Sequence, residues 1–207
     1  MLKSELRIWS AATLSTIALG ALMWLPVAGS AAEDEDSPLM PVVGFQVERY
    51  VGKWYEIARL PNRFQRDCAS DVTAEYAARP DGRITVVNRC REESGATDES
   101  RGVAEVVEPG IGQLDVSFLP QWLSWLPFTK GDYWILELDS QYRYALVGTP
   151  DRKYLWVLSR EPQLTSGVLH RLLMRAREDG FDIDNLVRDM HTTPDTTDLD
   201  QNASTGR

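Results

Sequence analysis

The sequence predicts an all-β protein. Eight short antiparallel strands joined by hairpin turns, as in an up-and-down barrel or a sandwich, are followed by one helix. Three observations carry that prediction. Turn signals recur at short intervals along the middle of the chain. The runs between them alternate apolar with polar side chains. Helical spacing of apolar residues comes only after the last of those runs.

The strands are expected at about 53–59, 70–78, 83–91, 101–108, 113–118, 132–138, 142–147 and 154–159. Arg79-Pro80-Asp81-Gly82, Pro109-Gly110, Asp139-Ser140 and Thr149-Pro150-Asp151 supply turns between them, because these residues tolerate or pre-set turn dihedrals. Alternation then assigns faces. Val72, Ala74 and Tyr76 oppose Thr73 and Glu75. Ile84 and Val86 oppose the charges of Arg83 and Arg89. Leu114, Val116 and Phe118 alternate with Gln113, Asp115 and Ser117. Tyr133 and Trp156 fall on inward faces by the same pattern, and Glu56 shares the inward parity of Trp54 and Ala58. An interior carboxylate is costly unless bonded. A tyrosine hydroxyl, a water or a ligand group could serve Glu56, a structural partner being the first expectation. Several inward residues are small or modest, Val72, Ala74 and Ala104 among them. Two readings stay open: a barrel too wide for its side chains, leaving a cavity, or a filled core.

Val168, Leu169, Leu172, Leu173 and Ala176 form the helical stripe, with Thr165 or Ser166 to cap its start and Gly180 beyond its end. A single late helix packs more easily outside a barrel than inside.

The 207 residues suit one domain with short appendages, and 43% hydrophobic with 26% charged is ordinary for a globular protein. A net charge of −9 argues against a nucleic-acid partner. Lys3 and Arg7, the apolar run from Ile8 to Val27, small residues to Ala32 and then acidic Glu33–Asp36 have the order of an export signal. Cleavage is expected after Ala32, with an uncleaved anchor as the alternative. The expected division is signal 1–32, acidic and Pro-containing linker 33–41, folded domain 42–191 and polar tail 192–207. No cysteine lies near the cleavage point to carry a lipid. The two cysteines, Cys68 and Cys90, share inward parity across a hairpin in an exported chain; a disulfide is expected, two free structural thiols being the alternative. With His170 and His191 far apart and no Cys-x-x-Cys, no metal site and no cofactor are expected.

Gly52-Lys53-Trp54-Tyr55-Glu56-Ile57-Ala58-Arg59 resembles the Gly-x-Trp signature that opens the first strand of lipocalins. Gly131-Asp132-Tyr133-Trp134 is similar to the second lipocalin motif, and Leu158-Ser159-Arg160 to the third, in the right order. Longer stretches within 41–190 resemble the subgroup of bacterial outer-membrane lipocalins and apolipoprotein D. The resemblance implies an eight-stranded up-and-down calyx with the helix outside. It also implies that Trp54 and Arg160, with Gly52, plug the closed end. Tyr133 and Trp156 then fall in a cavity wall, and the ligand is a fatty acid or lysophospholipid. Glu56, Val72, Ala74, Tyr76, Ile84, Val86, Ala104, Val116, Phe118, Tyr133 and Trp156 are the expected lining. The implied location is the periplasm or the periplasmic face of a Gram-negative outer membrane, without lipid on a signal-peptide cysteine.

Binding, storage or transport is therefore expected, with no catalytic residues. The alternatives are a lipid-modifying enzyme on the same fold and an envelope stress protein acting through a protein partner. An enzyme would need a nucleophile and a base. No Gly-x-Ser-x-Gly elbow occurs, and both histidines fall outside the strands. The apolar segment 119–128, with Trp122, Trp125 and Phe128, is unusual for a loop. It suits a lid, a membrane-touching tip, a homodimer contact in place of a monomer, or a fold back over the rim.

Overall fold

The computed structural model describes residues 38–119 and 130–192. The export signal, most of the linker, the loop residues Trp122, Trp125 and Phe128, and the tail beyond Thr192 lie outside the described residues. Eight strands close into an antiparallel barrel: β1 (Gly52–Arg59), β2 (Cys68–Ala78), β3 (Ile84–Glu92), β4 (Thr97–Val106), β5 (Gln113–Ser117), β6 (Gly131–Leu138), β7 (Tyr144–Gly148) and β8 (Leu155–Ser159). Each pairs with its sequence neighbour, and β1 closes the cylinder by pairing with both β2 and β8. A short helix α1 (Val47–Tyr50) precedes β1, and α2 (Ser166–Glu178) follows β8.

Two apolar layers result. The inner one gathers Tyr50, Trp54, Tyr76, Ile84, Val86 and Leu114 with facing residues of β6 to β8. The outer one packs Leu169, Leu172 and Ala176 of α2 against Ile57, Leu136, Leu146, Leu155 and Val157. Strands β7 and β8 are covered on both faces there, which is why they read as nearly unbroken apolar runs. Strands β2 to β5 keep charged residues outside. Beyond α2, Gly180 takes φ +83 and the Phe181 amide donates to the Ala176 carbonyl, the glycine-terminated ending that the sequence suggests.

The structure departs from the sequence reading at four places. Strand β4 begins at Thr97, not near 101, because Thr97–Ser100 pair with Asn88–Arg91 despite their polarity. Helix α1 is too short to leave a periodic signal. A bulge between Glu56 and Ala58 inserts an extra residue opposite β8. Ile57 and Ala58 therefore both join the outer layer, and Ala58 does not share the face of Trp54 and Glu56. Arg59 instead turns inward, paired with Trp156.

The fourth departure completes the wall. Strands β1 and β2 pair only where Gly52–Tyr55 face Thr73–Tyr76, and then diverge. Strand β9 (Val187–Arg188) pairs with Arg59 and Ala58 in the place β2 has left. Its continuation is sewn to β2: the Asp71 amide donates to the Met190 carbonyl, the Val72 amide to Asp189 Oδ2, and the Thr192 amide and hydroxyl both to Asp71 Oδ1. Cys68 and Cys90 form a disulfide with Cα atoms 5.6 Å apart. Register shifts on both sides of Ser70 carry Cys68 across to it.

Candidate ligand site in the barrel interior

One end of the barrel is closed by a stack of aromatic and cationic groups. Gly52, at φ +97, ends the crossing of α1 and turns the chain into β1. Trp54 follows, 0% exposed, its Nε1 donating to the Tyr50 carbonyl at 2.8 Å. The Arg160 guanidinium lies over the indole at 3.9 Å, a cation–π contact. Its nitrogens also donate to the carbonyls of Lys53, Arg49, Tyr50 and Val51 at 2.8–3.0 Å. One planar fork thus fastens the end of β8 to the chain crossing beneath it. A side chain at Gly52 would press on Arg160, whose Nη1 lies 3.3 Å from the Cβ position.

Above this plug sits a layer of phenols. Tyr133 on β6 shares its hydroxyl with Tyr50 at 2.7 Å and with Tyr76 at 2.9 Å. Burial raises all three hydroxyls above the usual tyrosine range, Tyr76 to about 12. They stay neutral and bind one another, so the layer is apolar in its walls and internally satisfied at its centre.

Four side chains on the inner face are only partly covered: Ala74, Val116, Tyr133 and Trp156. A polar network stands near the mouth. Glu56, 3% exposed, accepts from Arg59 Nη1 at 2.9 Å and from Gln65 Nε2 at 2.6 Å. Gln65 Oε1 accepts from Trp156 Nε1 at 3.0 Å and from Asn62 Nδ2 at 2.7 Å. Asn62 in turn caps the 3-10 turn Arg63–Gln65, holding Gln65 over the interior. Burial pushes the Glu56 carboxyl above its ordinary value, against the opposing pull of Gln65 and Arg59. The expected structural partner of Glu56 is thus an arginine and an amide, not a tyrosine. On the rim, Phe64 is 64% exposed and meets Tyr154 at 5.6 Å, and Tyr154 stacks on Trp156 at 5.9 Å.

The eleven side chains expected to line a cavity therefore divide by burial. Tyr76, Ile84, Val86 and Ala104 are buried in the inner layer near the plug. Ala74, opposite Trp54, Val116, opposite Ala104, Tyr133 in the phenol layer and Trp156 are partly buried on the inner face, and Glu56 lies in the polar network. Val72 is buried beside the C-terminal segment, its amide bonded to Asp189. Phe118 is a rim residue: β5 ends at Ser117, so alternation no longer aims it, and it is 46% exposed with its ring against Gly102. Sequence reasoning missed Tyr50, Arg59 and Gln65. Tyr50 was signalled by its place just before Gly-x-Trp. Arg59 was concealed by the bulge.

Comparison with known proteins agrees with this architecture. The family model for a Lipocalin-like domain matches residues 45–191. The chain is 43% identical over 150 residues to the outer membrane lipoprotein Blc of Vibrio cholerae, covering 71% of this chain and 83% of that protein. It is 40% identical over 163 residues to temperature-induced lipocalin-1 of Arabidopsis thaliana, covering 77% of this chain and 84% of that one. Mouse apolipoprotein D is 29% identical over 162 residues, with 73% and 80% covered. Among solved structures, insecticyanin from the tobacco hornworm Manduca sexta superimposes with a TM-score of 0.59 at 21% identity, over 75% of this chain and 86% of that one. A closed eight-stranded barrel, an arginine over the Gly-x-Trp indole, an outer helix and these matches place the chain in the lipocalin family.

Proposed function

We propose that this lipocalin binds a single-chain lipid, a fatty acid or a lysophospholipid, with the tail pointing down to the tyrosine layer and the polar end at the mouth. One observation carries the reading: the interior is sealed at the Trp54–Arg160 end, while at the other end the Trp156 indole is only partly buried and Phe118 is 46% exposed. Such a shape accepts a long apolar group endwise. The disulfide removes both cysteines as nucleophiles, which favours carriage or storage over chemistry. The similarity to outer membrane lipoproteins and the signal-like residues 1–32 support a place in the bacterial envelope.

Tryptophan-quenching titration with saturated fatty acids of increasing length tests the reading. Each buried methylene contributes about 0.8 kcal/mol, so affinity rises roughly fourfold per carbon until the interior is full. Ala74→Asp, placing a charge on the inner face opposite Trp54, is expected to abolish the rise while the barrel still folds. Affinity that is flat with chain length, or indifferent to Ala74→Asp, refutes interior binding.

A further inference from the structure

Arg59 is 6% exposed and stands inside the barrel because the bulge in β1 reverses the face of the last residues of the strand. A guanidinium carries five N–H donors. Arg59 gives one to Glu56 Oε1 at 2.9 Å and stretches another 3.4 Å to the Gln65 carbonyl. Among the described residues its Nε and the remaining hydrogens have no acceptor. An arginine placed only to neutralise Glu56 would meet it with two parallel bonds, the strong geometry of this pair. A buried pair joined by one bond adds little stability over apolar side chains of the same volume. Arg59 is the strand partner of Trp156, whose half-buried indole donates to the same Gln65.

We propose that Arg59 is the receptor for an oxyanion at the end of an apolar chain, a carboxylate or a phosphate ester, with Glu56 as the resident anion that it displaces. This rests on the reading that the interior takes up a lipid. Gln65, held by Asn62 and Trp156, fixes the height of the head group. When the ligand takes the fork of Arg59, Glu56 is left facing a second negative charge and accepts a proton from solvent. Its surroundings favour that step. Asp189 adds negative charge from the C-terminal segment, where His191 Nε2 donates to the Glu56 carbonyl and lies 3.3 Å from Asp189 Oδ2. From β2 comes only the neutral hydroxyl of Tyr76. Arg59 is the one cation facing the Glu56 carboxylate among the described residues. Oxyanion binding and proton uptake are therefore linked, and affinity for an anionic head rises as pH falls.

The experiment compares palmitate, hexadecyl phosphate and hexadecanol by calorimetric titration of the full chain. At least one of the two anions is expected to bind about tenfold or more tighter than the alcohol, as hydrogen bonds to a charged group provide. Which anion does so identifies the head group. Hexadecyl sulfate, ionised throughout, is expected to bind more tightly at about pH 6 than at about pH 8. Glu56→Gln should raise the anion-to-alcohol ratio and flatten that pH profile, which loss of a merely structural ion pair would not do. The double variant Glu56→Gln with Arg59→Gln leaves no lone buried charge and should bring the ratio near one. An alcohol bound as tightly as both anions, or a ratio that survives the double variant, overturns the proposal. A Glu56→Gln protein with an unchanged ratio and pH profile does the same. If none of the three amphiphiles binds, interior binding itself fails, and that result is distinct from the others.

Discussion

Replacing Trp54 by alanine tests whether the closed end holds the fold together. The indole is 0% exposed, contacts the Tyr50 ring at a centroid distance of 4.8 Å and lies under Arg160 at 3.9 Å. Truncating a buried tryptophan costs about 3–5 kcal/mol through lost burial and the cavity left behind. Two features hold the loss near the middle of that range. The Tyr50 carbonyl that accepts from Nε1 keeps its bond from Arg160, so no acceptor is orphaned. Arg160 likewise keeps its other carbonyl partners. A loss of about 4 kcal/mol in a domain of this size lowers the melting temperature by roughly 8–16 °C. Thermal unfolding followed by near-UV circular dichroism, with urea titration for the free energy, measures it. Trp134→Phe is the internal comparison. Trp134 Nε1 is buried without a hydrogen-bond partner among the described residues, so that substitution sacrifices no bond. Trp54→Phe should therefore destabilise more than Trp134→Phe. A Trp54→Ala protein within about 1 kcal/mol of native, or equal losses in the two phenylalanine variants, refutes the assignment of Trp54 as the fastener.

Three further outcomes are expected. Reducing Cys68–Cys90, which closes a loop of sequence separation 22, should destabilise by about 3 kcal/mol in the loop-entropy account, read as the difference in unfolding with and without reductant. Tyr50, Tyr76 and Tyr133 are held as phenols by burial, so the stability they confer is complete below about pH 10 and is lost as pH climbs through their raised values, about 12 for Tyr76; ultraviolet titration should find three of the seven tyrosines ionising late and together with unfolding. Gly148→Ala should destabilise by about 1–3 kcal/mol through overpacking, because a Cβ there would lie 2.6 Å from Phe181 Cζ and 3.0 Å from Leu136 Cδ1 on the outer layer.

What the sequence makes legible is what has a period. Alternation aims Tyr76, Ile84, Val86 and Leu114 inward, and helical spacing selects Leu169, Leu172 and Ala176, because each signal extends over enough residues to outweigh local exceptions. The disulfide follows from parity and a hairpin. Features that interrupt a period are invisible to it. A single extra residue in β1 moves Ala58 out and Arg59 in, and nothing in Glu56-Ile57-Ala58-Arg59 announces it. Strand β9 has two residues and cannot alternate. Thr97–Ser100 are strand by pairing alone, since polar residues on an exposed face carry no apolar signature. The candidate site inherits these gaps: its apolar side chains and Glu56 were readable from alternation, and Arg59 was not.

The wall between β1 and β2 is finished by residues from the far end of the folded chain. Asp189 and Thr192 reach Val72 and Asp71 across 117 and 121 positions of sequence. Contacts this distant are among the slowest to form, since the intervening chain must be ordered before they return any free energy. A ribosome that has released all eight barrel strands has still not released the stitches that complete their seam. The seam is therefore completed only after the last strand has been made. A truncation short of Asp189 would leave β2 with the backbone amides of Asp71 and Val72 unpaired beside a gap, an edge of the kind that recruits neighbouring chains.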